Sequence, residues 1–346
     1  MMTNIVKQVA GIDVAQKELV VSLGRMNQLI EPDIYAFKTF ANKPSGFAAL
    51  EVWVKKHTEQ QVAVRFVMEA TGVYHEKLAY YLSDQGHKVS IVLPNKISNY
   101  AKTLEIKTVT DKTASLAICQ FGLEKKVDLW QQPKKIFRDL KQLTRERDQV
   151  VAERTVAKNQ LHAENAEAFP NERSIARLNQ RIRLFNSQEK EIKADIAEIV
   201  QQDKELVEKI DKVSTIPGVG KLTTVIVIAE TNGFNLIKSK KQIESYAGFD
   251  VKEKQSGTSV KGKPKISKRG NRHLRKAMYM PALSAISHDE RFKAIFVRLV
   301  SKHGIKMKAA VAVQRKLLGL MYILWESNTK YDENYLQKVN ENNKAA

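Results

Sequence analysis

The first third of the chain alternates short apolar runs with amphipathic stretches. The runs QVAGIDVAQKELVVSLG, IYAFKTF, VAVRFVMEA and KVSIVLP have the composition of strands, whereas SGFAALEVWVKKH, VYHEKLAYYLSDQG and ISNYAKTLE have helical spacing. Their order along the chain is strand, strand, helix, strand, helix, strand, helix. Because strands reached through helices are usually parallel neighbours, we predict an α/β sheet domain over residues 1–132, with an antiparallel first pair of strands.

The middle of the chain, residues 133–212, has the pattern of two long helices. Glycine is absent, charges alternate, and Phe169-Pro170-Asn171 breaks the pattern. Apolar residues in the second half follow a 3,4,3,4 spacing with one polar interruption: Ile175, Leu178, Ile182, Phe185, Glu189, Ile192, Ile196 and Ile199. This stripe predicts an antiparallel coiled-coil hairpin, and an ordinary two-helix packing inside a bundle is the alternative.

Residues 213–330 return to globular composition and predict a mostly helical domain. This part opens with STIPGVGKLTTVIVIAETNG and continues through a basic segment. Two helices are predicted after it, HLRKAMYMPALSAISHD with an interruption at Pro281, and KMKAAVAVQRKLLGLMYILWES. The polar residues 331–346 predict a disordered tail.

The net charge of +20 indicates a polyanionic partner. Residues 236–276 carry 13 Lys and Arg against 3 Asp and Glu, which is half of the net charge and is typical of phosphate binding. No apolar run reaches the roughly 18 residues that a membrane-spanning helix needs, and the N-terminus has no export signal. We therefore expect a soluble, cytoplasmic protein. The single cysteine, Cys119, is in an apolar run and is expected to be buried.

Three carboxylates are candidates for a metal site. Asp13 is on the first strand, and Glu69 ends a later strand, so the two acids are expected on neighbouring strands. Asp111 precedes a predicted helix, where Thr110-Asp111 could equally serve as the cap. Each acid alone is compatible with a solvent-exposed side chain, but together they are oxygen ligands of the kind that Mg²⁺ prefers.

Two segments of the third part are candidates for contact with nucleic acid. IPGVG, with Pro217, Gly218, Gly220 and the following Lys221, predicts a helix-hairpin-helix-like turn that presents backbone N–H groups to a phosphate, and a tight turn between packed helices is the alternative. In the basic segment the pair Ser256-Gly257 precedes a run of polar and cationic residues. The candidates there are Lys261, Lys263, Lys265, Lys268, Arg269, Asn271, Arg272 and Arg275.

These stretches together resemble a known family. GIDVAQKE, MEATGVYHEKL, KTVTDKTASLAI, IPGVGKLTT and AGFDVKEKQSGTSVKGKPKISKRGNRHLRKAMYMPAL are similar to the insertion-sequence one-ten family of transposases, relatives of the Piv-type DNA invertases. The Ser-Gly pair followed by Ile-Ser-Lys-x-Gly-Asn-x-x-Leu-Arg, at residues 266–275, is the most specific part. The resemblance implies an RNase-H-like, RuvC-type N-terminal domain and a C-terminal transposase domain with a catalytic serine.

The resemblance also implies roles for individual residues. Asp13, Glu69 and Asp111 would be three ligands of an Asp-Glu-Asp-Asp site for Mg²⁺, for which Mn²⁺ can substitute, and Ser256 would be the nucleophile. This chain departs from the family pattern Thr-Asp-x-x-Asp-Ala, because Ala114 occupies the position of the fourth acid. Three carboxylates and waters can still hold Mg²⁺, and Ser115 acting through a water is one substitute.

By this resemblance the protein is expected to be a DNA transposase or recombinase. It would cut and rejoin DNA through a serine–DNA covalent intermediate, as a dimer or tetramer guided by a structured noncoding RNA from its own element. A RuvC-like structure-specific endonuclease that uses metal-activated water is the alternative, and a noncatalytic nucleic-acid-binding scaffold is a third hypothesis. The residues themselves are compatible with both RNA and DNA as partners.

Overall fold

The computed structural model of the protein describes residues 5–70, 72–104, 108, 110–253, 255–256, 260–262 and 265–334. Their contacts divide the chain into two units, residues 1–132 and 133–346. The elements of the first unit are β1 (Ile5–Val14), β2 (Glu18–Asn27), β3 (Pro32–Ala41), α1 (Pro44–His57), β4 (Val64–Glu69), α2 (Glu76–Asp84), β5 (Lys88–Val92), α3 (Pro94–Ala101) and α4 (Asp111–Glu124).

The first unit contains a five-stranded mixed sheet of order β3-β2-β1-β4-β5. Strands β1, β2 and β3 are antiparallel neighbours, and β4 and β5 are parallel to β1. The run QVAGIDVAQKELVVSLG, which we predicted to be one strand, is two strands, because a turn closed by the Ala15 N–H and the Glu18 carbonyl (3.0 Å) reverses the chain. The strand order and directions fit the RNase-H-like N-terminal domain that the resemblance implied.

Helices cover both faces of this sheet. On one face α1 and α2 bury Leu50 and Leu78 against Ile12, and on the other α4 buries Ile118 against Val9. The approach of α4 to β1 depends on Gly11, because a Cβ there would lie 2.2 Å from the backbone nitrogen of Cys119. Cys119 is buried, as its apolar context predicted, and burial raises the pKa of its thiol to about 12.

The second unit is almost entirely helical. Its elements are α5 (Lys135–Ala166), α6 (Glu172–Gln201), α7 (Lys204–Val213), α8 (Lys221–Glu230), α9 (Lys240–Tyr246), β6 (Val251–Lys252), β7 (Gln255–Ser256), β8 (Val260–Lys261), β9 (Lys265–Ile266), α10 (Arg272–Ala277), α11 (Tyr279–His288), α12 (Glu290–His303) and α13 (Lys306–Ser327). The apolar helix α8 is buried along nearly its whole length and forms the centre of the core, together with α13.

The two long helices α5 and α6 form a hairpin. Leu178, Phe185 and Ile192 of the predicted stripe are buried, and Arg154 of α5 donates a hydrogen bond of 3.0 Å to Asn186 of α6. The end of α6, including Ile196, joins the core that α8 and α13 build, so the region 133–212 and the region 213–330 share one unit. The base of the hairpin is therefore part of the C-terminal core.

The helices near the C-terminus differ from the prediction. The break in HLRKAMYMPALSAISHD occurs at Met278, and Pro281 is in the first turn of α11, where its missing N–H costs no helical hydrogen bond. Helix α12 was not predicted; the side chain of Asp289 caps it by accepting from the N–H groups of Arg291 (2.8 Å) and Phe292 (3.1 Å).

The segment for which we predicted a disordered tail is described only as far as residue 334. In that part the hydroxyl of Tyr331 donates to Asp289 at 2.9 Å, and residues 335–346 lie outside the described residues. No helix among the described residues is long and apolar enough to cross a membrane.

Candidate active site

The register of the sheet brings the first two candidate acids to the same edge. Strands β1 and β4 are parallel, with Ile12 opposite Met68. Asp13 and Glu69 are the next residues of the two strands, and both are partly exposed. Parallel neighbours end at the same edge of a sheet, so the two carboxylates lie next to each other at the carboxyl edge, where open α/β sheets bind their ligands.

Helix α4 brings the third acid to this edge. The hydroxyl of Ser115 shares a hydrogen bond of 2.8 Å with that of Ser22, which is opposite Gly11 in the sheet. Asp111 is one helical turn nearer to the edge than Ser115, and it is exposed. The N-terminus of α4 therefore lies at the same edge of the sheet as Asp13.

The cap of α4 is Thr110. Its hydroxyl accepts from the N–H of Thr113 at 3.2 Å, and the hydroxyl of Thr113 accepts from the N–H of Thr110 at 2.8 Å. The reciprocal capping box shows that Thr110 and not Asp111 is the capping residue, and the role of Asp111 as a metal ligand stays a prediction. Asp111 is the first residue of the helix, and its carboxylate forms no hydrogen bond with a described residue.

The electrostatics of the edge show that the three acids act on one another. The pKa of Asp13 is raised to about 6, mainly by burial and further by the negative charges of Asp111 and Glu69, against a hydrogen bond from the N–H of Val14. In the part of the chain that the structure describes, Asp13 has no ion pair. An acid whose ionised form is destabilised by its surroundings, and which has no cationic partner, is typical of a functional site.

The chemistry of these donors fits a divalent cation. Three carboxylates supply hard oxygen ligands, and Mg²⁺ keeps several waters when it binds only a few of them. Among the described residues, no three Asp, Glu, His or Cys side chains form a ready-made metal cage. Binding would therefore have to draw the carboxylates of Asp13, Glu69 and Asp111 together.

Ser115, the neighbour of Ala114, does not replace the missing fourth acid. Ala114 has no ligand atom in its side chain, and Ser115 is fully buried. The Ser115 hydroxyl is occupied by Ser22 and by the carbonyl of Lys112 at 2.9 Å. The suggestion that Ser115 reaches the metal through a water is therefore wrong, because its hydroxyl holds α4 on the sheet.

The backbone of Ser256 belongs to a short antiparallel ribbon of the second unit. Strands β7 and β8 pair Gln255 with Lys261 and Ser256 with Val260, and strands β6 and β9 pair Val251 with Ile266. The side chains of Ser256 and Lys261, and residues 257–259 and 263–264, which include Gly257 and Lys263, lie outside what the structure describes. The candidate nucleophile and the three acids are thus in different units.

The basic segment that follows divides into outward and inward side chains. The outward group is exposed, forms no ion pair with a described residue, and consists of Lys265, Lys268, Arg269 and Arg272. Two predicted phosphate contacts point inward. Arg275 donates to the carbonyl of Ala247 at 2.7 Å, and the Asn271 side chain caps α10 by accepting from the N–H groups of His273 and Leu274. For Asn271 and Arg275 the structure therefore shows a structural role.

Glu230 is the buried partner of Asn271, and the sequence did not point to it. It is the last residue of α8, its carboxylate accepts from Arg145 at 2.7 and 3.0 Å, and it accepts from Asn271 at 2.6 Å. Burial alone would raise its pKa, but the hydrogen bonds from Arg145 and Asn271 outweigh burial and lower the pKa. The only sign of Glu230 in the sequence is that it is an acid at the end of a strongly apolar helix.

The IPGVG turn connects α7 to α8 and packs on α11. Gly218 has φ +83°, and a Cβ there would lie 2.5 Å from the carbonyl oxygen of Pro281. This glycine therefore serves close helix packing, which was the alternative reading of the turn. Gly220 caps α8 in open space, and Lys221 pairs with Asp211 at 2.6 Å. Gly220 and Lys221 are exposed, and Pro217 and Gly218 are partly exposed, so this packing does not cover the whole turn.

Comparisons with known proteins agree with the arrangement of the chain. Residues 10–170 match a family described as a transposase, and residues 210–296 match the family described as Transposase IS116/IS110/IS902 family. The pilin gene-inverting protein of Moraxella bovis is 30% identical over 301 residues, covering 85% of this chain and 90% of that protein. The corresponding protein of Moraxella lacunata is 31% identical over 304 residues, with the same coverage.

Two other matches are more distant. An uncharacterised protein of insertion element IS110 from Streptomyces coelicolor is 24% identical over 119 residues, covering 34% of this chain and 29% of that protein. Among solved structures, T. thermophilus RuvC in complex with a Holliday junction substrate aligns with 36% of this chain and 99% of that chain, at 10% identity and a TM-score of 0.27, a score too low to support a conclusion. By its relatives and its two matched regions, the chain belongs to the IS110 family of transposases and is a DNA transposase or recombinase.

Proposed function

We propose that this recombinase cuts and rejoins DNA with Ser256 as nucleophile and with Asp13, Glu69 and Asp111 as the ligands of a divalent metal. The observation that carries the proposal is the presence of three acids at one sheet edge, where burial and then the negative charges of Asp111 and Glu69 raise the pKa of Asp13 to about 6. Acids that stabilise a fold are normally paired with cations, and Asp13 is not paired with a described residue.

The proposed chemistry conserves the number of phosphodiester bonds. The Ser256 hydroxyl attacks a phosphorus atom, an Oγ–P bond forms, and the ester bond to the neighbouring deoxyribose breaks. The serine proton leaves with a base, and the released sugar oxygen takes up a proton. When the hydroxyl of a second strand end attacks the phosphoserine, the reverse exchange restores Ser256. No external energy source is required.

Each part of the chain has a role in this proposal. When bound, Mg²⁺ or Mn²⁺ would supply positive charge to a phosphate oxygen and orient the reacting groups. Asp13, Glu69 and Asp111 would hold the ion, and the exposed cations Lys265, Lys268, Arg269 and Arg272 would bind phosphates of the DNA backbone. Lys261, Lys263, Pro217, Gly218, Gly220 and Lys221 stay predictions as further contacts, with Gly220 and Lys221 favoured by their exposure.

The first experiment asks whether DNA becomes attached to the protein. The full chain is incubated with Mg²⁺ and labelled DNA from the junction of its element, denatured, digested and analysed by mass spectrometry. We expect a nucleotide adduct on the peptide containing Ser256, and none in Ser256→Ala. Ser287→Ala, which changes an exposed serine of α11, is the matched control and should keep the adduct. Strand exchange at the normal rate by Ser256→Ala would refute the role of the serine.

Hydrolysis by metal-activated water is the second candidate function. It is favoured by the location of the acids and Ser256 in different units, since hydrolysis needs only the acids. In the same experiment it predicts cut DNA without an adduct, full cutting by Ser256→Ala, and no cutting by Asp13→Asn. Binding that weakens with salt, without any metal-dependent cutting, would instead support a noncatalytic scaffold.

The proposed nucleic-acid partners are DNA and a structured guide RNA. The support is the net charge of +20, which is compatible with binding both DNA and RNA. Purification under native conditions, followed by nuclease treatment and sequencing, should recover one defined RNA species. Recovery of only random fragments, together with full activity after ribonuclease treatment, would contradict the RNA.

We also propose that the α5–α6 hairpin joins copies of the chain as a dimer or tetramer. Because Ile192 and Ile196 are already buried within the chain, the contact would use other residues. Val156 and Leu184 are large apolar side chains that stay more than half exposed on the two helices. Replacing both with Asp should lower the molar mass measured by light scattering to that of one chain, and an unchanged mass would place the interface elsewhere.

A further inference from the structure

A cluster of exposed apolar side chains lies at the same sheet edge as the three acids. Val73 and Tyr74 follow β4 and are 66% and 43% exposed, and Leu93 follows β5 and is 58% exposed. Strands β4 and β5 are parallel, and Glu69 is opposite Val92, so Leu93 comes directly after the neighbour of Glu69. All three apolar residues therefore belong to the loops that leave the carboxyl edge.

The loop that carries Tyr74 is held by Asn42. The Asn42 side chain donates to the carbonyl of Tyr74 at 3.2 Å and to the carbonyl of Ala15 at 2.8 Å, and Ala15 is two residues from Asp13. His75, the next residue, is buried, and the N–H of Glu76 donates to the carbonyl of Val73 at 3.1 Å. These contacts fix the loop next to the β1–β2 turn and keep the Tyr74 side chain at the surface.

The ring of Tyr74 comes close to Gly72 of its own loop. Its edge atoms Cδ2 and Cε2 are 3.9 Å from the point where a Cβ of Gly72 would be, which is an ordinary van der Waals distance. One edge of the ring is therefore next to the loop, and the residue as a whole is 43% exposed. A partly exposed aromatic ring is the geometry that protein platforms use for stacking nucleobases.

The charges around this edge identify the kind of occupant. Lys17 in the β1–β2 turn, Lys43 before α1 and Lys96 in α3 are exposed, and none of them forms an ion pair with a described residue. All three are on loops or helix ends that leave the carboxyl edge. Glu18 and Glu76 are also exposed there, and the three carboxylates lie at the same edge. A nucleotide offers a flat base to the ring and a phosphate to the lysines, and under the proposed function the bound metal ion would shield that phosphate from the acids.

We propose that Tyr74, flanked by Val73 and Leu93, forms a subsite for an unstacked nucleobase of the DNA strand whose phosphate is at the carboxylates. The subsite rests on the proposed function for the position of that phosphate. Stacking there holds the strand and fixes the nucleotide next to the cut. Asn42 acts as a positioning residue, because it orients the Tyr74 loop without touching the base.

The test measures stacking without requiring cleavage. Full-length protein carrying Asp13→Asn is titrated, in Ca²⁺ and at fixed salt, into single-stranded DNA from the element junction with 2-aminopurine at successive positions. We expect a change of 2-aminopurine fluorescence at one position. Adding Tyr74→Ala should abolish it and weaken binding about tenfold, the effect of losing one stacked base. Tyr74→Phe, which keeps the ring, should preserve both.

Three controls make the result decisive. Phe169→Ala removes an exposed aromatic side chain of the α5–α6 hairpin and should change neither signal. Leu93→Ala is a second variant in case Tyr74→Ala does not fold, and it should reduce the signal in part. RNA of the same sequence is titrated in parallel, because a base-stacking signal confined to RNA would overturn the assignment to DNA. A signal unchanged in Tyr74→Ala, or lost equally in Tyr74→Phe, would also overturn the proposal.

The failure of the subsite and the failure of the proposed function can be told apart. If Asp13→Asn still cuts DNA in Mg²⁺, the role of the acids is wrong, whatever the fluorescence shows. If Asp13→Asn does not cut, and the fluorescence does not depend on Tyr74, only the subsite is wrong.

Discussion

The acids of the two units are in opposite electrostatic environments. In the first unit Asp13 has other acids as its charged neighbours, and its pKa rises to about 6. In the second unit Glu230 and Glu189 are buried with arginines, and in both cases the pKa falls, for Glu189 to about 2. The paired acids join helices of one core, whereas Asp13 contributes an unfavourable interaction that the rest of the fold must offset. This difference distinguishes acids kept for chemistry from acids kept for stability.

The largest effect is expected for Asp13→Asn. Because the folded-state pKa of Asp13 is above its ordinary value of 3.8, its contribution to stability is present below pH 3.8 and is lost as the pH rises through about 6. At pH 7 the Asn variant should therefore be more stable, by about 1 kcal/mol after allowance for solvent screening, while metal-dependent cutting falls by about a thousandfold. Urea unfolding and a cutting assay measure the two effects.

The control for that variant is Asp84→Asn, which changes an exposed acid at the end of α2. It should leave both the free energy of unfolding and the cutting rate unchanged. If Asp13→Asn were destabilising at pH 7, the contrast between the two groups of acids would be lost.

The next largest effect is expected for Glu230→Gln, which should lower the stability of the protein where Asp13→Asn raises it. The change removes the charge that faces Arg145 in a buried site, so the free energy of unfolding should fall by about 2–3 kcal/mol in urea titrations. Glu205→Gln breaks an exposed pair with Lys209 and should cost under about 0.5 kcal/mol. Equal effects of the two variants would show that burial of the pair does not matter.

A smaller effect is expected for Glu189 in acid. Burial alone would raise its pKa, but hydrogen bonds from Lys193, Arg154 and Arg147 lower it to about 2. The stability from this pairing is present above pH 4.5 and is lost as the pH falls towards 2, which amounts to roughly 2 kcal/mol after allowance for solvent screening. Glu189→Gln should flatten the pH dependence of the melting temperature in this window. A slope identical to that of the unchanged protein would argue against the pairing.

The smallest effect concerns the exposed cations of the second unit. Replacing Lys268 and Arg269 with Ala should weaken binding a few-fold for all DNA sequences and reduce the slope of log affinity against log salt by about one for each cation. Lys209→Ala, which removes a cation already paired with Glu205, is the comparison. A loss confined to one target sequence would indicate base contacts instead.

Hydrophobic patterning allowed much of the architecture to be predicted. Alternating β-branched runs located the sheet, and the spacing from Ile175 to Ile199 located α6. The turn at residues 15–17 was missed because its short polar stretch lies between two apolar runs that read as one. Helix α12 was missed although its signals are local, because Asp289 is an N-cap residue and Phe292, Ile295 and Phe296 follow it at helical spacing.

The candidate site was only partly readable from the sequence. Asp13, Glu69 and Asp111 stand out only as a set and through the family motifs, because each acid alone has an ordinary structural use at a strand end or helix start. The motif around Asn271 and Arg275 was equally visible, but whether those side chains face DNA or the protein depends on Glu230 and Ala247, which are distant in sequence. The same limit applied to Ser115, whose partner Ser22 is on another strand.

The sequence by itself determined the elements, the family and the residue types available for chemistry, because periodicity, charge and short motifs are local properties of the chain. Only the tertiary structure decided which polar groups are neutralised and which are left to act. Parallel pairing of β1 with β4 and the docking of α4 bring Asp13, Glu69 and Asp111 to one edge. The core of the second unit places Arg145 against Glu230. Electrostatic energies depend on distance and burial, and those quantities exist only once the chain has folded.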